Sequence, residues 1–347
     1  MPILTLIALS FTIAATQDLP PRTGGTLIVL NKAEATASLI DLQTGKVVRT
    51  VEVGDGPHEG AASPDGRTVA VANYGGRGGP GSTLTMIDVS SGRATKTILL
   101  GDYRRPHGIE WLNNERIAVT CEANQSLLIV NVNTGRVIRA IKTDQRTSHM
   151  VVVTPDGKRA FVANIGSGTV SALDLANGKL LKIIPTGAGA EGIAISPDGK
   201  DVWVTNRAAD TVSLIDAGTL KVKQVLQSAS FPIRVKFTPD GSHALVSNAR
   251  SNEVAIFDTK TKREIKRIKM KLAAKGTEGR LFGGQFGDSS VPIGILVHPS
   301  GRWAYIANAN ADVITVLDLS KWTIAGYLTA GKEPDGMAYS PIKCKAE

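Results

Sequence analysis

Apolar and polar positions along this chain follow a period of two in runs of five or six residues, each run ended by Asn, Asp or Gly. Val69-Ala-Val-Ala-Asn73, Ala160-Phe-Val-Ala-Asn164, Val202-Trp-Val-Thr-Asn206, Ala244-Leu-Val-Ser-Asn248 and Ala304-Tyr-Ile-Ala-Asn308 are five such runs. A second type follows at short distance, as in Thr169–Asp174, Thr211–Asp216 and Val313–Asp318. Short β-branched runs with turn signals every few residues predict strands and argue against helix throughout.

The runs belong to a repeat. Ser63-Pro-Asp-Gly66 recurs as Thr154-Pro-Asp-Gly157, Ser196-Pro-Asp-Gly199 and Thr238-Pro-Asp-Gly241, with a degraded copy at His298-Pro-Ser-Gly301. Asp-Gly at a reversal is hairpin chemistry, because glycine takes positive φ without a Cβ clash. Alignment on the residue six before the turn proline gives seven positions, 58, 107, 149, 191, 233, 293 and 335, spaced by 49, 42, 42, 42, 60 and 42 residues. About 42 residues holding four strands is the size of a propeller blade, which cannot bury both faces alone. The last copy has only its first strand, near Asp335–Tyr339, and the N-terminus holds three strands, Thr26–Asn31, Ala37–Asp41 and Lys46–Val53. Pairing the two ends completes a seventh blade and removes the exposed edges. The fold expected is an all-β, seven-bladed β-propeller over residues 24–342, four antiparallel strands per blade, with an insertion loop at 271–291.

The consensus Pro-x-Gly-x-Ala-x-Ser-Pro-Asp-Gly, then Val-x-Asn, Val-Ser-x-Ile-Asp and Gly-Lys, resembles the YVTN family of β-propeller repeats, which includes surface-layer and periplasmic YncE-like proteins. The resemblance spans about residues 24–342. It implies the fold; members include binding scaffolds, DNA-binding proteins and enzymes, so function must be argued from the site.

In a propeller the first strand of each blade lines the central channel. The aligned column, one residue per blade, reads His58, His107, His149, Glu191, Ile233, Ile293 and Asp335. Three of the chain's five histidines fall in it, in consecutive blades, and glutamate follows. Imidazole nitrogen and carboxylate oxygen converging on a channel suit one divalent transition metal, Zn, Fe, Mn or Cu. His58, His107, His149 and Glu191 are the expected ligands. Glu191 and Asp335 are the candidate acid–base residues, and Arg234, one residue from the column, is the candidate catalytic arginine. Streptogramin lyases and carotenoid oxygenases are similar in kind, as propellers with hub metals, without a shared motif.

Two segments depart from the repeat on the same face: the insertion, with Phe282 and Phe286, and the glycine-rich Tyr74–Ser82 loop. Either suits a lid or pocket wall. Arg104, Arg105 and Arg146 stand near the column in sequence and Arg280 lies in the insertion, and together they suit an anionic ligand. The Asn closing the second strand reads as architecture, capping the following loop through backbone hydrogen bonds. Cys121 takes that register in the second blade and reads as a small packed residue.

Residues 3–15 form an apolar run followed by polar Thr16-Gln17-Asp18, without a basic leader. It is too short for a stable bilayer anchor, so 1–16 reads as an export signal cleaved near 15–17. The mature chain is then periplasmic or secreted, without a membrane anchor, and expected to be a monomer. Lys and Arg number 40 against 31 Asp and Glu, a net +9, which favours acidic partners through a long-range field. Two cysteines neither demand nor exclude a disulfide. Serine-nucleophile elbows, phosphate-binding loops, dinucleotide fingerprints and Cys-x-x-Cys-His haem sites are absent from the sequence.

Two functions fit these residues. One is an exported metal-dependent enzyme acting on a small anionic molecule at the hub, by lyase, lactone-hydrolase or oxygen-dependent chemistry. The other is a non-catalytic binding propeller for single-stranded DNA, a cell-envelope polymer or a protein. Nucleic acid is the second choice, because aromatic residues for base stacking are sparse.

Overall fold

The computed structural model describes residues 23–346 apart from 77, 277 and 281. The export-signal reading of 1–16 lies outside the described residues. The described residues form seven four-stranded antiparallel sheets, arranged as a propeller. Blade one comprises β4 (Pro57–Ala62), β5 (Thr68–Gly76), β6 (Gly79–Asp88) and β7 (Arg93–Leu99). Blades two to six follow in chain order, and their innermost strands are β8 (Pro106–Asn113), β12 (Ser148–Val153), β16 (Ala190–Ile195), β20 (Pro232–Phe237) and β24 (Pro292–Val297). Blade seven is mixed. The C-terminal β28 (Pro334–Ser340) pairs with β1 (Thr26–Asn31), followed by β2 (Thr36–Asp41) and β3 (Lys46–Glu52). The ring closes as expected, with Thr26 opposite Ser340 and Ile28 opposite Ala338.

The core lies between blades. Trp203 of blade four, fully buried, meets Phe237 and Phe257 of blade five edge-on, at centroid distances of 5.5 and 6.0 Å. Comparable apolar clusters join Ile109 and Ile117 to Ala70 and Leu84, and Ile28 and Leu30 to Val69 and Val71. Each buried side chain of this kind contributes roughly 1.5–3 kcal/mol, so adjacent blades hold each other.

The turn motif is built as its residues dictate. In Ser196-Pro-Asp-Gly199 the hydroxyl of Ser196 donates to Asp198 Oδ1 at 2.6 Å, and the Lys200 amide donates to the same oxygen at 3.1 Å. Gly199 sits at φ +73°, where a Cβ is costly.

One local expectation gains detail and one changes. The Asn column binds mainly third-strand hydroxyls: Asn206 Nδ2 donates to Thr211 and Ser213 at 3.0 and 2.9 Å, and Asn31 to Thr36 and Ser38, each at 2.9 Å. The expected backbone bonds form beside them: Asn164 Nδ2 donates to Thr169 O at 3.3 Å, Asn308 Nδ2 to Val313 O at 3.1 Å, and Asn31 Oδ1 accepts the Gly331 amide at 2.9 Å. The Tyr74–Ser82 segment is not a free loop, because β5 and β6 continue their ladder with Gly75 opposite Pro80 and Gly76 opposite Gly79.

A candidate metal centre at the hub

The seven aligned residues each occupy the second position of their innermost strand. The chain enters every one of these strands through a left-handed residue two places earlier: Gly56, Arg105, Thr147, Gly189, Phe231, Val291 and Glu333, with φ between 53° and 74°. Five of these are not glycine, so the surrounding hydrogen bonds must hold them. The carbonyl of each accepts an amide from the residue following the Asn column, at 2.9–3.2 Å. Those donors form a second ring at the channel mouth: Lys32, Tyr74, Glu122, Ile165, Arg207, Ala249 and Ala309.

The two rings together divide the mouth. Blades seven, one, two, three and four present Asp335, His58, His107, His149 and Glu191 beneath Lys32, Tyr74, Glu122, Ile165 and Arg207. Blades five and six present Ile233 and Ile293 beneath Ala249 and Ala309. The 271–291 insertion docks on this apolar sector, where Phe286 joins Ile233, Ala249, Val291, Ile293 and Ala309 in one cluster with Phe231 and Phe282 against it. Arg280 fastens it through paired bonds to Asp312 at 2.7 and 2.9 Å. Phe282 and Phe286 anchor the described part of the segment on this apolar sector.

Within the polar sector, His58 is half-buried and its Nδ1–H donates to the Gly56 carbonyl at 2.8 Å. That bond leaves Nε2 as the basic nitrogen. Burial, with Lys32 nearby, lowers its pKa to about 3. The ring lies 4.5 Å from Tyr74 and 5.0 Å from His107. His107 is 1% exposed, its Nδ1 has no hydrogen-bond partner, and burial followed by repulsion from His149 and His58 holds its pKa well down. His149 packs on His107 with centroids 3.6 Å apart.

Glu122 decides the state of His149. Its Oε1 stands 2.5 Å from His149 Nδ1, and its Oε2 accepts from Tyr74 Oη at 2.7 Å. Burial opposes charge on His149, but the bond to Glu122 and the nearby charge of Glu191 outweigh it and raise the pKa. His149 Nε2 faces Glu191 Oε1 at 3.4 Å without a hydrogen bond. Glu191, 3% exposed, pairs with Arg207 at 2.5 Å and Arg234 at 3.2 Å. Burial raises its pKa, yet His149, Arg207 and Arg234 together pull it to about 2.

Arg234 spans the channel, donating to Glu59 from Nε and Nη2 at 3.2 and 2.8 Å and to Glu191 from Nη1. Asp335 is 2% exposed, its Oδ1 lacks a partner, and burial raises its pKa despite Arg234 and Lys32. The sequence-selected residues therefore share one wall. The tightest set of ligating atoms, within 4.8 Å of one another, belongs to His107, Glu122 and His149.

Sequence reasoning missed Glu122, Arg207 and Lys32, and named Tyr74 only as part of the glycine-rich segment, without its role beside Glu122. All four lie one residue beyond the Asn column, a register that could have been aligned like the first. Of the arginines singled out, Arg105 reaches Tyr74 Oη at 2.9 Å, whereas Arg146 bonds Gly166 O at 2.8 Å on the exposed rim and Arg280 serves the insertion. Cys121 is fully buried and unpaired, and burial pushes its thiol up to about 12. It packs in the apolar cluster between blades one and two.

Fold and site together define a seven-bladed β-propeller with a titratable hub. The cytochrome D1 heme domain family model matches residues 109–279, just under half of the chain. A chain of hydrazine synthase from Kuenenia stuttgartiensis is similar with a TM-score of 0.69 at 20% identity, covering 82% of this chain and 90% of that one. A functionally unknown protein from Desulfotomaculum acetoxidans is similar with a TM-score of 0.74 at 14% identity, covering 93% and 100%. At such identities the likeness to solved structures is one of fold. No curated protein sequence matches this chain.

Proposed function

We propose that this chain is an exported metal-dependent enzyme whose hub acts on a small anionic molecule. The observation that carries the reading is a pair of buried imidazole nitrogens: His107 Nδ1 has no partner, and His149 Nε2 makes no hydrogen bond and faces only Glu191 Oε1 at 3.4 Å. Buried polar atoms left unpaired are costly and call for an explanation. The 3.4 Å between His149 Nε2 and Glu191 Oε1 matches the edge of a tetrahedron with ligand bonds of about 2.0–2.1 Å.

In this reading His149 Nε2 and Glu191 would hold the ion, with His107 and His58 as the further imidazoles beside it, and Glu122, within 4.8 Å of the His107 and His149 ligating atoms, would orient His149 through Nδ1, as carboxylates do behind metal-bound histidines. The ion supplies Lewis acidity or an activated water. Asp335 is the proton carrier, being buried, unpartnered and raised in pKa. Lys32 and Arg207 attract the anionic group, while the apolar sector excludes water from the rest.

The haem named by the matching family does not fit these residues. A macrocycle needs an open face beside its axial ligand, but His107 is covered by His149 at 3.6 Å and flanked by His58 and Tyr74 at 5.0 and 5.6 Å. The finer classification of the repeats as YVTN-type and the periplasmic or secreted location belong to the same proposal. They rest on the turn consensus and on the apolar run at 3–15. Among the described residues no helix is long and apolar enough to cross a membrane.

The test is metal content by plasma mass spectrometry on purified, tag-free protein. About one equivalent of a transition metal, lost in His149→Ala, supports the reading. No metal after reconstitution with Zn, Mn, Fe(II) and Cu overturns it and leaves a binding propeller.

A further inference from the structure

Below Arg234 the channel opens into a second chamber of about 270 Å³ that none of the three hub histidines lines. The Glu59–Arg234–Glu191 bridge forms its ceiling, and Met150, Leu296 and Met337 contribute apolar wall. Two further charges face it, Glu110 from blade two and Lys236 from blade five, on opposite sides of the ring. Unlike Arg234 and Glu59, these two form no ion pair or hydrogen bond with each other or with any other described residue. Burial pushes the Glu110 carboxyl up, with Lys236 opposing that shift.

Glu110 and Lys236 are each half-buried and held apart across one chamber, so each gains from an oppositely charged partner seated between them. A monovalent ion satisfies one and leaves the other. A molecule carrying an ammonium at one end and a carboxylate at the other satisfies both through charge-assisted hydrogen bonds. The chamber has room for a solute displacing about nine waters, at about 30 Å³ each. We propose that it binds a small zwitterion, ammonium toward Glu110 and carboxylate toward Lys236, with its methylenes against Met150, Leu296 and Met337. The site is independent of any hub metal.

Calorimetric titration of the purified protein with glycine, β-alanine, γ-aminobutyrate and ε-aminohexanoate measures the span, with butyrate and butylamine as singly charged controls. The expected result is one preferred length, both controls weaker by about tenfold or more, and the same affinity after chelator treatment. Glu110→Gln and Lys236→Met each lower affinity about tenfold or more, metal content stays unchanged, and the swap Glu110→Lys/Lys236→Glu restores binding. Absence of binding by the whole series, or controls as tight as the zwitterions, overturns the proposal and assigns the chamber to water. If a substitution unfolds the chain, the length series on the unaltered protein decides alone.

Discussion

The Glu122 carboxylate stands 2.5 Å from Nδ1 of His149 and thereby determines which imidazole nitrogen faces the hub. Nε2 is left toward Glu191. Glu122→Gln keeps the volume but removes the charge that fixes this tautomer. Metal affinity is expected to fall about 10–100-fold, read by competition with a chromophoric chelator. The circular dichroism spectrum should not change.

Gly108 lets β8 approach β12. A Cβ there would stand 2.6 Å from the His149 carbonyl and 2.8 Å from Met150 Cα, both backbone atoms that cannot rotate away. Gly108→Ala should cost about 1–3 kcal/mol, as overpacking does, and displace His149. Denaturant unfolding measures the first effect, and metal content the second.

Arg280 is the insertion's charged fastening to Asp312. Arg280→Ala should cost about 1 kcal/mol or less in global stability, because the pair is partly solvated and the insertion lies outside the blades. Cleavage within 271–291 by a low concentration of protease should become several-fold faster, while the blades survive. Equal cleavage rates in both proteins would show that Phe286 and its neighbours hold the segment unaided.

Acid should destabilise the fold through its turns. Asp65, Asp156, Asp198 and Asp240 are all held below the usual carboxylate range, first by the Ser or Thr hydroxyl two residues earlier and then by an amide two residues later. A folded-state pKa below the unfolded value means stability is present above about pH 4 and is lost as pH falls through the lower folded value. Melting temperature should therefore drop below about pH 4. The drop should be shallower in Asp156→Asn/Asp198→Asn, whose melts at neutral pH are already lower.

Much of this was legible in the chain. Ser-Pro-Asp-Gly turns, strand runs ending in Asn and a 42-residue spacing are local chemistry repeated, and repetition lets weak strand signals reinforce one another. The odd first strand near Asp335 and the three unmatched N-terminal strands required the closure between β28 and β1. The column containing His58, His107, His149 and Glu191 was readable because one register serves every blade.

The sequence by itself determined the blade count, the closure and the ring position of each hub residue, since these follow from strand period and repeat length. Only the tertiary structure decided how that ring is wired. Glu122 on His149 and Arg234 across to Glu59 join residues from different blades, at distances set by how closely the sheets pack around the axis, while Arg207 closes on Glu191 within blade four. The insertion's docking on Ile233 and Ile293 was likewise decided in three dimensions, because an apolar sector exists only once the ring has closed.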